Sequence, residues 1–396
     1  MDNRTQIVIT KMRERQIMLY LDNQKAYDIL AEPLTEKNIP AVGDIYTGKV
    51  INVVKNINAA FVEFQKGILG FLSLSELGNK APACGTELIV QIKKAAVKTK
   101  QPVLSLFPEL VGKYVVVSTK RAGNSVSKFR NADKNGQGVS RKISDGAERE
   151  RLMNLQQALS ETGRYGVVIR TNAEGVPEEE IRKEYEALAT KLDWVHDHGP
   201  QRNCFSLLYK DIPFYEKYIQ GCRGDEFDRI ITDDREVYEI LAPKYSEKLE
   251  LYEDASYPLA SLLSLNKQLE QALGRTVWLK SGGNLVIEPT EALTVIDVNT
   301  GKAIEGKRNS ETTFFKTNCE AAVECARQIR LRNLSGIILI DFIDMKKKEH
   351  QQELMNLLRT ELKKDKVNTS LVDITKLGLV ELTRMKINRP LRELFR

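Results

Sequence analysis

Two almost wholly apolar runs, each ending in aspartate, constrain the fold of this chain more than any other feature. ALTVID ends at Asp297 and SGIILID ends at Asp341, and both have the composition of strands. A helical pattern covers about residues 310–333 between them. A strand, helix, strand unit places its strands parallel, with both carboxyl ends at one edge of the sheet. The sequence therefore predicts an α/β subdomain, and runs this apolar predict strands covered on both faces.

Polar residues at that edge predict a metal-binding active site. Asn299 shares a face with Asp297 because side chains alternate along a strand. Magnesium is usually bound through one or two carboxylates together with substrate phosphate, so Asp297 and Asp341 can suffice as protein ligands. Asp344 belongs to a weaker class, as an indirect contributor or a helix cap. The alternative for each aspartate is a purely structural cap of a turn or helix. Basic residues in the loop after Asn299 suit a phosphate backbone: Lys302, Lys307 and Arg308.

The composition is that of a soluble globular protein with several folding units. The 396 residues exceed one core of ordinary size, and 42% hydrophobic and 29% charged residues are near the averages for such proteins. No stretch approaches the roughly 18 apolar residues of a membrane helix. The first residues, MDNRTQIVITKMRER, contain no signal-peptide core, so the expected location is cytoplasmic. A net charge of +6 permits a polyanionic partner without requiring one.

The cysteines and histidines argue against zinc sites and disulfides. The five cysteines form no C-x-x-C pair, so free thiols are expected. They are Cys84, Cys204, Cys222, Cys319 and Cys325. With only three histidines a multi-histidine metal site is not predicted, and His196 and His198 are expected in a solvated loop after a helix.

Changes of pattern along the chain predict five segments. A strand hairpin and an apolar stretch over residues 5–32 are too small for a core of their own. Short strands separated by glycines follow and predict a small β-barrel. A later segment is expected to complete the hairpin, with the strand CFSLLYK and a helix ended by Gly274. The apolar face of that helix is Leu262, Leu265, Leu269 and Leu273. The expected bounds are 1–40, 41–107, 108–202, 203–272 and 273–396.

The carboxylate region resembles the catalytic subdomain of the ribonuclease E/G endoribonucleases. VIDVNTGK and LIDFIDM, joined by ETTFFKTNCEAAVECARQIRLRNL and preceded by SGGNLVIEPTEAL, occur in the order of that family over about residues 275–386. The resemblance implies a DNase I-like α/β subdomain that binds Mg²⁺, with Mn²⁺ as a substitute, through Asp297 and Asp341. It also implies that Asn299 assists hydrolysis of single-stranded RNA to 5′-phosphate and 3′-hydroxyl ends.

The other segments resemble the RNA-handling parts of the same family. Residues 43–106 are similar to its OB fold of the S-one type, which is inserted in an RNase H-like subdomain. The residues at matching RNA-binding positions are Phe61, Phe71, Lys94 and Lys100. The segment 108–202 is similar to its α/β sensor of 5′-monophosphate ends. The matching sensor residues are Gly112, Val116, Arg170 and Thr171, and Arg141 also fits the family. The loop 124–138 is longer than the usual pattern.

Together these observations predict a magnesium-dependent endoribonuclease that acts in the processing of rRNA, tRNA or mRNA and in RNA decay. The alternative is an RNA-binding protein of the same fold with little or no cleavage, and hydrolysis of DNA is a third hypothesis. The acidic pair favours cleavage, because a protein that only binds RNA need not keep both ligands. No C-x-x-C follows the matched region, so neither structural zinc nor zinc-linked assembly is expected. A homodimer formed without a zinc link stays open.

Overall fold

The chain folds into two compact units. The discontinuous unit consists of Met1–Thr35 with Gly224–Arg396, and the inserted unit is Glu36–Arg223. The computed structural model describes residues 4–34, 40–77, 82–96, 101–119, 138–140, 142–162, 165–223, 226–301 and 310–395.

The elements up to residue 223 are mainly strands. The strands are β1 (Thr5–Met12), β2 (Arg15–Asp22), β3 (Lys25–Pro33), β4 (Ile45–Val54), β5 (Ala59–Gln65), β6 (Ile68–Ser73), β7 (Glu87–Lys94), β8 (Val103–Ser105), β9 (Glu109–Val111), β10 (Val115–Thr119), β11 (Tyr165–Ile169) and β12 (Leu207–Tyr209). The helices are α1 (Gly146–Thr162), α2 (Glu178–His198) and α3 (Phe214–Gly221).

The elements after residue 223 mix strands and helices more evenly. The strands are β13 (Arg229–Thr232), β14 (Leu249–Leu251), β15 (Thr276–Trp278), β16 (Asn284–Pro289), β17 (Leu293–Asn299), β18 (Gly336–Asp341), β19 (Thr369–Ile374) and β20 (Val380–Arg384). The helices are α4 (Arg235–Tyr245), α5 (Leu259–Leu262), α6 (Leu265–Leu273), α7 (Ser310–Leu331), α8 (Lys348–Leu362) and α9 (Leu391–Leu394). None of the helices in the described part of the chain has the length and apolar character needed to cross a membrane.

The inserted unit contains the small β-barrel that the sequence predicts. Its five strands pair in the order β4, β5, β6, β8 and β7, and β7 pairs back to β4, which closes the barrel. Closure leaves each of these strands a neighbour on both sides. Its core is apolar and centres on Val62, Phe64 and Leu72, each fully buried. The prediction of an OB-type barrel is therefore confirmed.

One strand lies in a different place from its predicted one. The run CFSLLYK was expected to complete the N-terminal hairpin, but β12 pairs antiparallel with barrel strand β4, through Leu207 opposite Tyr46. Residues 203–223 accordingly lie in the inserted unit. The pairing partner of a short apolar strand depends on distant residues, which local periodicity does not report.

A second, three-stranded sheet of the inserted unit has the order β11, β10, β9 and packs against α1 and α2. The buried side of α2 carries Ile181, Tyr185, Leu188 and Leu192, at the predicted helical spacing. His196 and His198 form the last turn of α2, so their prediction as loop residues was wrong. Both are exposed, and His198 stacks on Trp194.

The first sheet of the discontinuous unit has the order β14, β13, β1, β2, β3. Strands β1 to β3 form an antiparallel meander, whereas β13 and β14 run parallel to β1. A later segment thus completes the N-terminal strands, as predicted. The predicted leucine helix is broken at Ser264, whose φ of 51° lies in the left-handed region. Leu262 falls in the separate helix α5 and is 48% exposed, so its assignment to the apolar face was wrong.

The second sheet of this unit has the order β15, β16, β17, β18, β20, β19. Helices α7 and α8 pack on one face, over buried side chains such as Ile296, Ile338 and Leu382. On the other face Val295 and Leu339 are only half-buried and Ile337 is 50% exposed. We call this the open face. The prediction of strands covered on both faces was therefore wrong.

Helix α7 joins the two sheets of the discontinuous unit. One side packs on the second sheet through Ala322, Cys325 and Ile329. The other side reaches β3: Glu324 pairs with Lys25 at 2.9 Å, and Arg330 pairs with Asp28 at 2.8 Å. One helix therefore lies between the meander and the sheet with the candidate site.

Candidate functional site

The two aspartates that end the predicted strands lie opposite each other. Strands β17 and β18 are parallel, and their register pairs Ile296 with Ile340 and Asp297 with Asp341. Neighbouring strands are roughly 4.8 Å apart, so the two carboxylates start from adjacent backbone positions. The isoleucines point into the core, and by alternation both aspartates point to the open face. The predicted parallel arrangement is confirmed.

Asn299 completes this cluster. It follows Asp297 by two residues on the same face of β17, and its Nδ2 donates a hydrogen bond to Asp297 Oδ2 at 2.8 Å. Partial burial and the negative charges of Asp297 and Asp344 raise the pKa of Asp341. Asp344, which the sequence left in a weaker class, thus lies close enough to act on Asp341 electrostatically. A cation between the carboxylates would relieve this repulsion.

Helix α7 holds the loop that leaves β18. Asn318 is fully buried, and its amide makes two hydrogen bonds with the backbone of Ile343: Nδ2 donates to the carbonyl at 2.8 Å, and Oδ1 accepts from the N–H at 3.0 Å. Two turns earlier, the Glu311 carboxylate accepts from the N–H groups of Lys346 and Lys347. The backbone at Ile343, Lys346 and Lys347 is therefore held by side chains of one helix.

A glycine turn supports the end of β17 from the other side. A Cβ atom on Gly283 would lie 2.7 Å from the carbonyl oxygen of Asn299, and one on Gly301 would lie 2.3 Å from that of Gly282. Only glycine permits this approach of the two backbones. The Glu320 carboxylate of α7 accepts from the N–H groups of Lys280 and Ser281 and so holds the same turn.

The protein ligands that this cluster offers a magnesium ion are the two carboxylates of Asp297 and Asp341. Among the described residues, no group of three or more histidine, cysteine, aspartate or glutamate side chains is arranged to hold a metal ion. Magnesium does not need such a group, because it keeps several waters and accepts one or two carboxylates plus substrate oxygens. Asp297 and Asp341 supply that minimum. The basic residues predicted beside them, Lys302, Lys307 and Arg308, lie outside the described residues.

In the barrel, three of the four residues selected from the sequence share one row. Phe61 lies opposite Phe71, Phe71 opposite Val103, and Val103 opposite Lys94, across four adjacent strands. The two rings meet edge to face, with centroids 6.3 Å apart. Both phenylalanines are half-buried, unlike Phe64 in the core, and Lys94 is exposed. The row is therefore an aromatic and basic strip on the barrel surface. Lys100 lies outside the described residues.

Around Arg170 the structure brings most of the predicted sensor residues together. Its guanidinium donates to the carbonyl of Gly112, and Thr171 Oγ1 lies 2.8 Å from Ser140 Oγ. Burial lowers the pKa of Arg170, an effect that the Glu184 carboxylate partly opposes. The side chain of Val116 is half-buried on β10, opposite Val168. Arg141 and loop residues 124–137 lie outside the described residues.

Sequence reasoning missed Glu184, which shapes the same turn. Its carboxylate accepts hydrogen bonds from the N–H groups of Lys113, Tyr114 and Val115, at 2.7, 2.7 and 3.0 Å. The turn that presents the Gly112 carbonyl to Arg170 is thereby fixed. A charged residue between Ile181 and Tyr185, on the apolar side of α2, was the available signal. Asn318 in α7 gave a similar signal, since an amide on a buried helix face needs partners.

Comparison with known proteins gives matches over most of the chain. The sequence model of the Ribonuclease E/G family matches residues 110–387, and that of the S1 RNA binding domain matches residues 39–107. Ribonuclease G of Escherichia coli K12 is 34% identical, over 93% of this chain and 77% of that protein. Ribonuclease E of a Nostoc species is also 34% identical, over 89% of this chain. The match covers 52% of the Nostoc protein, so this chain spans about half of that relative's length.

Proposed function

The chain belongs to the ribonuclease E/G family, and from this we propose that it is an endoribonuclease that cleaves single-stranded RNA in RNA processing and decay. The reaction proposed is magnesium-dependent hydrolysis that leaves 5′-phosphate and 3′-hydroxyl ends on rRNA, tRNA or mRNA. The observation that supports it best is the register pair of Asp297 and Asp341 beside Asn299 on one open sheet face.

Each residue of the cluster has a distinct part in this proposal. Bound Mg²⁺, or Mn²⁺ in its place, would polarise a phosphoryl oxygen and lower the pKa of a water. Asp297 and Asp341 would hold the ion against the phosphate. Asn299, whose amide is oriented by its bond to Asp297, would position the phosphate or the attacking water without adding negative charge. As water attacks phosphorus, the 3′-oxygen leaves and takes up a proton, and the phosphate stays on the 5′ end of the other product.

One assay tests the proposal against its alternatives. The 396-residue chain is incubated with single-stranded RNA or DNA of one sequence, in Mg²⁺, in Mn²⁺ and in EDTA. Cleavage of RNA with either metal but not in EDTA is expected. Binding without cleavage would instead support the RNA-binding alternative, and equal cleavage of DNA would support the third hypothesis.

We also propose that the barrel row holds RNA. The half-buried rings of Phe61 and Phe71 can stack on unpaired bases, and Lys94 can contact a phosphate, as OB folds do with single strands. Lys100 is retained in this proposal on the family resemblance alone.

Replacement of Phe61 or Phe71 by alanine is expected to weaken binding of single-stranded RNA about tenfold in EDTA, since a base stack contributes roughly 1–3 kcal/mol. Fluorescence anisotropy of a labelled oligonucleotide measures this. The control is Ile57→Ala, which removes a side chain that is 56% exposed on the same barrel without an aromatic ring. Wild-type affinity in both phenylalanine variants would exclude the row as a stacking surface.

The Arg170 cluster is proposed as the sensor of 5′-monophosphate ends, together with Gly112, Val116 and Thr171. A guanidinium presents a planar set of donors that matches phosphate oxygens. Because Arg170 is largely withdrawn from water, its attraction to an entering anion is weakly screened.

Arg170→Ala is expected to slow cleavage of 5′-monophosphorylated RNA about tenfold and to leave that of 5′-hydroxyl RNA nearly unchanged, because only the former gains a charged contact. Initial rates on the two RNAs measure the ratio. Arg202→Ala, which removes a cation above Trp194 in the same unit, is the matched control. Equal slowing of both substrates by Arg170→Ala would exclude the sensor role.

The finer fold assignments belong to the same proposal. The sheet in which β13 and β14 run parallel to β1 supports an RNase H-like subdomain that the inserted unit interrupts. Its second part was expected over residues 203–272, but it begins at residue 224, because residues 203–223 lie in the inserted unit. The one-sided sheet with α7 and α8 supports a DNase I-like catalytic subdomain over 273–396. The proposal also includes a cytoplasmic location and a homodimer.

A further inference from the structure

An exposed tryptophan lies on the same sheet face as the candidate active site. Trp278, at the end of edge strand β15, is 72% exposed. It lies opposite Asn284, and Asn284 lies opposite Asn299. Directly opposed residues on antiparallel strands share a face, so Trp278, Asn284 and Asn299 form one row. Two strand spacings, roughly 10 Å in all, separate the backbones of Trp278 and Asn299.

The neighbouring residues confirm which way this tryptophan points. Val277, one residue earlier, packs against the core under α7, and its partner Leu285 is fully buried there. Alternation then places Trp278 on the opposite, open face, with Asp297 and Asp341. Large aromatic side chains are mostly buried in proteins, so a ring this exposed is not accounted for by packing. Trp278 is not part of the hydrophobic core of the sheet.

The chemistry of the face fits an unpaired nucleobase. Aromatic rings bind single-stranded nucleic acid by stacking on bases, next to positive charges that follow the backbone. Two residues after Trp278 stands the exposed Lys280. Its backbone is held by Glu320, so the basic residue is carried by a fixed turn. A strand whose phosphate lies at Asp297 and Asp341 has bases within reach of the indole.

We propose that Trp278 is a stacking platform for a base of the substrate close to the scissile phosphate, and that Lys280 contacts the adjoining backbone. This rests on the proposed function, because it takes the RNA to be the strand held at the carboxylates. The site positions the strand and selects unpaired bases, since a paired base cannot leave its stack to reach the indole without cost.

Intrinsic fluorescence tests this directly. The chain has two tryptophans, so in Trp194→Phe all tryptophan emission comes from Trp278. Single-stranded RNA is titrated in EDTA, and binding is followed in parallel by anisotropy of a labelled strand. Quenching of Trp278 that saturates with binding is expected. RNA binding without any change in Trp278 emission would overturn the proposal, and a lack of RNA binding would overturn both this proposal and the proposed function.

An abasic scan then locates the base. In the wild type, removal of one base near the cleavage site is expected to weaken binding about tenfold, whereas in Trp278→Ala the same removal should have little further effect. Trp278→Phe should retain most of the affinity, because a ring remains. Additive losses from the abasic site and Trp278→Ala would overturn the proposal. So would a loss of self-association in Trp278→Ala, measured by sedimentation, with RNA affinity unchanged.

The outcomes for the two proposals are separable. Quenching and the abasic coupling are measured without metal and need no cleavage. A protein that stacks RNA on Trp278 and does not cut it in Mg²⁺ would keep this inference and remove the proposed function. Cleavage in Mg²⁺ without any change in Trp278 emission on RNA binding would keep the proposed function and exclude stacking on Trp278.

Discussion

Asp341→Asn is expected to slow cleavage of single-stranded RNA in Mg²⁺ about a thousandfold. The variant removes one of two carboxylates in register, and a metal contributes several kcal/mol to stabilising the transition state, at about 1.4 kcal/mol per tenfold in rate. Asp297→Asn should behave alike. RNA binding in EDTA should stay the same or tighten, because a negative charge near the phosphate is lost. Single-turnover rates and anisotropy measure the two effects.

Asp344→Asn is the matched control for this experiment. It removes a carboxylate three residues away that acts on Asp341 through space but is not part of the strand register. A loss of roughly 10–100-fold at most, clearly smaller than that of Asp341→Asn, is expected for it. Near wild-type cleavage by Asp341→Asn would exclude Asp341 as a metal ligand. A thousandfold loss in Asp344→Asn would instead indicate that Asp344, in the loop after β18, is a metal ligand.

Asp365→Ala is expected to destabilise the chain by about 3–5 kcal/mol, because it leaves a buried guanidinium without its counter-charge. The side chains of Asp365 and Arg384 are each 4% exposed, and Arg384 Nε donates to Asp365 Oδ2 at 2.7 Å. Arg384 also donates to Asn333 Oδ1 and to the carbonyl of Leu334, where the chain leaves α7 for β18. Urea unfolding followed by circular dichroism measures the loss.

Glu179→Ala is the contrasting variant. Its partner Lys183 and Glu179 itself are 70% and 78% exposed, so their ion pair is largely screened by water. A change of less than about 1 kcal/mol is expected. If Asp365→Ala changed stability no more than Glu179→Ala does, the buried pair would have no structural importance.

The strands that carry the candidate site were predictable because their signals are local. ALTVID and SGIILID are almost wholly apolar, lie on either side of a helical pattern and end in polar residues. The strands and their ends can therefore be predicted from short stretches of sequence. The parallel pairing of a strand, helix, strand unit then places both strand ends at one edge of the sheet, whereas the register that pairs Asp297 with Asp341 is known only from the structure.

What was not predictable depends on contacts between distant residues. Whether Ile337 is covered depends on which elements pack on the sheet, and among the described residues it is left 50% exposed. Two other features join segments far apart in the chain. β12 pairs with a strand of the barrel, and the Glu184 carboxylate accepts hydrogen bonds from the turn that follows Gly112. The break at Ser264 was missed because a left-handed serine has no strong local signal.

In the sheet with the open face, residues of one strand alternate between packing in the core and lining the candidate active site. In β17, Ile296 and Val298 serve the core under α7, whereas Asp297 and Asn299 serve the open face. Selection on stability and selection on substrate preference therefore act on separate sets of positions that interleave along one strand. Such a face can diversify during evolution with little effect on the core, and the acidic pair can be retained while the residues around it change.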